Sequence, residues 1–84
     1  MPKTLRTPGH TALMKSLTDI RKRQGFTQQE LADALGRPQS FVAKIETGER
    51  RIDAVELVEW SLALRVDAQE LLKPVEVALR SEIT

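Results

Sequence analysis

The sequence predicts an all-α domain of five helices, in which helices 2 and 3 form a helix-turn-helix. Three observations carry that expectation. The first is a set of three box-like helix starts, Thr27-Gln28-Gln29-Glu30, Asp53-Ala54-Val55-Glu56 and Asp67-Ala68-Gln69-Glu70. In each, a small polar side chain and an acid three residues on can satisfy one another's backbone donors. The second is glycine at Gly25, Gly36 and Gly48, where helices would stop or turn sharply. The third is apolar residues at helical spacing, beginning with Leu13, Leu17 and Ile20.

In chain order, residues 1–8 read as a basic N-terminal arm with Pro2 and Pro8 and with Lys3 and Arg6 as its cations. Residues 9–73 read as the helical domain. Helix 1 is expected to begin near His10 or Thr11, with Thr11 as a cap, and to close on Arg21, Lys22 and Arg23, where cations suit the dipole. Helix 2 runs from its capping box at Thr27 through Leu31, Ala32 and Leu35 to Gly36. Helix 3 starts at Pro38, whose missing N–H costs nothing in a first turn, and carries Val42 and Ile45 on its buried side. Helix 4 opens at Asp53 and includes Leu57, Trp60 and Leu64. A short helix 5 opens at Asp67 with Leu71 and Leu72, and Pro74 ends or kinks it. The tail, residues 74–84, has two readings. Val75, Val77 and Leu79 alternate as in a strand, whereas Val75, Leu79 and Ile83 would share a helical face. Its apolar content marks it as a dimer or partner contact.

Eighty-four residues make one small domain, and 40% apolar content makes it globular. The absence of cysteine and the single histidine exclude disulfide frameworks and Cys/His zinc sites, and no cofactor is expected. The basic N-terminus has no apolar run behind it, so it is not a signal peptide, and no stretch suits a membrane span. A soluble cytoplasmic domain is the expectation. Net charge is only +1, but its distribution is uneven. Residues 1–51 hold ten Lys/Arg against five Asp/Glu, whereas residues 52–84 hold three against seven. A basic half carrying an acidic one fits a single face that meets phosphate.

A helix-turn-helix makes mechanical demands that Thr27–Gly48 meets in order. Close helix crossing needs a small residue, here Ala32, and the sharp turn favours Gly36. The interior must be apolar, as Leu31, Leu35, Val42 and Ile45 are, while the outer side of helix 3 must be free to match base edges. With these residues in place the sequence resembles the phage repressor and Cro family of helix-turn-helix regulators, the Xre family. The residues that carry it are Thr27-Gln28-Gln29-Glu30-Leu31-Ala32, Leu35-Gly36 and Val42-Ala43-Lys44-Ile45-Glu46-Thr47-Gly48, and the likeness extends from about Leu17 to Leu72.

The resemblance implies a five-helix domain that binds double-stranded operator DNA as a homodimer. It implies base contacts from Gln39, Ser40 and Lys44, and backbone contacts from Gln28, Phe41, Arg50 and Arg51. It also implies a structural ion pair between Arg21 and Glu46. Two departures stand out. Pro38 replaces the usual capping Ser or Thr, and Phe41 is bulkier than the usual Thr or Ser, so it would touch a thymine methyl or shield the backbone. Elsewhere the ordinary reading wins. Trp60 completes the core and its indole N–H needs a partner if buried. His10 has no cysteine or paired carboxylate near it in sequence. Glu56 and Glu59 form a solvated face rather than a catalytic acid pair, so no enzyme is expected. The function expected is that of a transcriptional regulator, chiefly a repressor. The rival is the antitoxin of a toxin–antitoxin pair, whose tail would clamp a partner protein.

Overall fold

Five α-helices follow one another in the computed structural model, which describes residues 7–83. They are α1 (Pro8–Arg23), α2 (Gln28–Leu35), α3 (Gln39–Thr47), α4 (Ala54–Leu64) and α5 (Ala68–Ile83). Lys3 and Arg6 lie outside the described residues.

Helix α1 begins earlier than the sequence suggested. Thr7, not Thr11, is the cap, its hydroxyl accepting from the His10 backbone N–H at 3.2 Å. Pro8 then sits in the first turn, where its fixed φ suits a helix and its missing N–H leaves nothing unpaired. The boxes at Thr27 and Asp53 both form. Thr27 N–H donates to Glu30 Oε1 at 2.9 Å, while Glu30 N–H donates to Thr27 Oγ1 at 3.0 Å. The Asp53–Glu56 pair repeats this at 3.0 and 2.7 Å. At Asp67 the outcome differs: the Glu70 N–H bonds the Asp67 backbone carbonyl, and the Glu70 carboxylate accepts from Arg23 of α1 at 2.9 Å. Gly36 closes α2 at φ 67°, a left-handed conformation that disfavours any side chain, so the turn into α3 depends on it.

The tail resolves as helix. α5 continues through Pro74 to Ile83 with no break, and it packs along α1. A proline inside a helix removes one hydrogen bond and costs about 3 kcal/mol. Tertiary contacts on both sides of Pro74 oppose that cost. The Ser16 hydroxyl, itself buried, donates to the Leu71 carbonyl at 2.8 Å. Further along, Leu79 lies against Gly9, where a Cβ would stand 3.1 Å from the leucine methyl. The strand reading of Val75, Val77 and Leu79 therefore does not hold.

Leu17, Leu31, Ala32, Val42, Trp60, Leu64 and Leu71 are fully buried in one core that joins all five helices. Ala32 takes its place there because α2 and α3 approach closely. Trp60 Nε1, however, is buried without a hydrogen-bond partner among the described residues, against the expectation of a partnered indole. Three apolar side chains of α4, Val55, Val58 and Leu62, face outward, as do Val77 and Ile83 of α5, while Leu79 against Gly9 is half-exposed. Among the described residues no helix is long and apolar enough to cross a membrane.

Candidate nucleic-acid interface

Helix α3 is buried on one side by Phe41, Val42 and Ile45 and exposed on the other. Along nine residues at 3.6 per turn, that leaves Gln39, Ser40, Lys44 and Thr47 on the open side, with Ala43 half-buried between them. The three residues expected to read bases therefore share one exposed face. Pro38 is the N-cap and has no side-chain acceptor, so α3 starts without a side-chain cap. Its backbone carbonyl instead accepts from the Phe41 N–H at 2.9 Å, closing a tight first turn.

One flank of that face is a chain of hydrogen bonds with an enclosed inner end. Arg21 reaches from α1 and donates through Nε and Nη2 to the two oxygens of Glu46, at 2.7 and 3.1 Å. Its Nη1 donates to the Phe26 carbonyl at 2.6 Å. Both side chains are almost wholly enclosed, 7% and 5% exposed. A bidentate fork with a third bond to a carbonyl is the geometry in which a buried guanidinium is satisfied. The chain continues outward: Gln28 Nε2 donates to Glu46 Oε1 at 2.9 Å, and Gln39 Nε2 donates to Gln28 Oε1 at 2.7 Å. Gln28, expected as a backbone contact, is thus also the brace of Gln39. The sequence carried no sign of that link, because the two glutamines meet only when α2 and α3 cross.

The opposite flank is cationic and half-open. Phe41 is 9% exposed, with the Arg37 and Arg50 guanidiniums over its ring at 4.5 and 4.8 Å from the ring centre. Phe41, expected as a backbone contact, is thus largely enclosed and supports the two cations that flank it. Glu56 lies beneath them and accepts from Arg50 Nη1 and Nη2 at 2.9 and 3.0 Å. Arg37 Nη2 is 3.6 Å from the same carboxylate. Glu56 is therefore not part of a solvated face. It is buried, while Glu59 remains exposed. Its bonds with Arg50, then with the Asp53 backbone N–H, hold its carboxyl below the usual glutamate range. The same bond with Glu56 raises Arg50. Arg37 was missed by sequence reasoning. A basic residue after a turn glycine is unremarkable until the fold brings Phe41 and Glu56 beside it.

Arg51 is exposed, and its Nη1 lies 3.1 Å from His10 Nε2. The other ring nitrogen, Nδ1, lies 2.8 Å from Thr7 Oγ1. His10 is thus tied to one of the expected DNA contacts. No group of three His, Asp or Glu among the described residues could hold a metal ion.

A helix-turn-helix family model matches residues 17–71. Among solved structures, an XRE-family like protein from Pseudomonas syringae pv. tomato is 42% identical, with a TM-score of 0.76, over 82% of this chain and 84% of that one. The restriction-modification controller protein C.AhdI from Aeromonas hydrophila is 27% identical, with a TM-score of 0.69, over 74% and 94%. A hypothetical transcription factor from Neisseria is 25% identical, with a TM-score of 0.75, over 96% and 95%. No curated protein sequence matches.

Proposed function

The chain belongs to the helix-turn-helix family of Xre-type DNA-binding regulators, which are not enzymes, and from that premise we propose that it is a transcriptional repressor occupying a two-fold operator. The observation that supports this best is the exposed face of α3, where Gln39, Ser40 and Lys44 stand together on a helix braced from both sides. In the major groove, glutamine suits the two edges of adenine and lysine the acceptors of guanine. Gln28, Arg50 and Arg51 take the phosphates and supply the salt-dependent part of the affinity. One short reading helix discriminates little alone. A two-fold dimer on half-sites about 10 bp apart doubles the reading surface. The outward Val55, Val58 and Leu62 of α4 and the outward apolar residues of α5 are the candidate contacts for that second copy.

The test is binding to a duplex selected from a random pool, against a scrambled duplex. Lys44→Ala is expected to lower binding to the selected duplex by about 1–3 kcal/mol, the worth of one base contact, and to change the scrambled one little. Equal losses on both would remove Lys44 from base reading. The exposed Val77 and Ile83 at the end of α5 favour a second reading, an antitoxin whose C-terminal helix clamps a toxin. A toxin-like neighbouring gene whose product co-purifies with the chain would establish it.

A further inference from the structure

We propose that Arg37 is a further DNA-backbone contact, and that Glu56 is the positioning residue that holds Arg37 and Arg50 over Phe41 as one pre-built phosphate grip. The inference rests on the DNA-binding reading and goes beyond it in assigning these two roles. Arg37 and Arg50 have side chains 41% and 40% exposed, whereas the carboxylate that joins them is 9% exposed. The negative charge is thus underneath and the two positive groups face outward, beside the exposed side of α3. Arg50 is committed, through Glu56 and the Arg51 carbonyl at 2.8 Å. Arg37 is not. Its 3.6 Å approach to Glu56 is a charge contact longer than a hydrogen bond, which leaves its N–H donors for a phosphate. The lowered carboxyl of Glu56 favours its ionised form, the form that anchors the two guanidiniums.

The advantage of such an array is entropic. A free arginine side chain must be immobilised on binding, and pre-ordering two of them removes that cost. A surface ion cluster with only a stabilising role makes the opposite prediction about DNA. Removing Glu56 would raise the net charge by one and tighten binding to a polyanion. The sign of the effect therefore decides.

The experiment is a salt titration of binding by the full chain, on the selected and the scrambled duplex. Arg37→Ala is expected to reduce the slope of log K against log salt by about 0.9 on both duplexes. Glu56→Gln is expected to weaken binding on the order of tenfold, in spite of its added positive charge. Glutamine also serves at the third position of a capping box, so this variant keeps the start of α4. Phe41→Leu keeps an apolar side chain in the core, removes the aromatic platform and is expected to weaken binding in the same way. If thermal melts show Glu56→Gln unfolded, Arg37→Ala and Phe41→Leu decide. An unchanged slope for Arg37→Ala, or equal or tighter binding by folded Glu56→Gln, overturns the grip. If that occurs while Lys44→Ala still loses discrimination, the DNA reading stands without it. Wild-type protein that binds neither duplex overturns both.

Discussion

Each flank of α3 pairs arginine with glutamate, yet the two pairs do different work. On the α1–α2 side Arg21 and Glu46 are enclosed, and the Arg21 donors point inward to Glu46 and the Phe26 carbonyl. On the α4 side one enclosed carboxylate sits under two guanidiniums that remain 41% and 40% exposed. The first arrangement offers no guanidinium to a ligand and holds α3 in place. The second leaves positive charge where a ligand can reach it. The lesson concerns geometry more than residue type, because the same two residues brace a helix or offer a grip according to which partner is buried.

The harshest way to break that contrast is Arg21→Ala. Removing one partner of a buried pair strands the other charge, and the expected loss is about 3–5 kcal/mol. That approaches the whole stability of a small domain, typically about 5–15 kcal/mol, so urea unfolding should show a partly unfolded protein at ambient temperature. A loss below about 1 kcal/mol would mean that this flank is no more structural than a surface pair.

Arg50→Ala sharpens the contrast from the other side. Its partner Glu56 loses two hydrogen bonds, but the guanidinium is half-open to solvent, so about 1–2 kcal/mol is expected in the same unfolding assay. The larger consequence should fall on DNA, with similar weakening on selected and scrambled duplexes and a flatter salt dependence.

Acid should act on the α4 flank through Glu56. A carboxyl whose pKa is lower folded than unfolded stabilises the fold above the unfolded value, and that contribution is lost as pH falls through the folded value. For Glu56 the window therefore opens near the ordinary glutamate value of 4.5 and extends below it. Wild-type stability should fall across that range, and Glu56→Gln should fall less. Exposed Glu76 is lowered too, by Arg80 first, but it is common to both proteins and cancels in the difference. Parallel curves would show that Glu56 is not coupled to folding.

The two flanks also differ in how far sequence could reach them. The helix-turn-helix and the starts of α2 and α4 are written in local signals: a capping box needs only residues three apart, and a left-handed turn needs one glycine. Arg21 and Glu46 came from family resemblance, since nothing local links α1 to α3. Glu56 was misread because its box position already gave it a role, and its second role depends on Arg37 and Arg50 arriving from elsewhere. The tail was ambiguous for a similar reason. Val75, Val77 and Leu79 satisfy two periodicities, and contacts with α1 at Leu71 and Leu79 accompany the helical one.

Gln28→Ala gives the smallest expected change in stability, and it tests whether the buried flank has any say in recognition. Glu46 would keep both bonds from Arg21, so the loss should be about 0.5–1 kcal/mol in urea unfolding. Gln39, however, would lose the acceptor that orients its amide. If the chain from Arg21 through Glu46 and Gln28 to Gln39 sets how that glutamine meets a base, Gln28→Ala should relax preference at one base pair of each half-site. A phosphate contact alone would weaken all sequences equally. Selecting duplexes from a random pool with the variant separates the two: relaxed preference at a single position makes the buried flank part of recognition, and uniform weakening confines it to support.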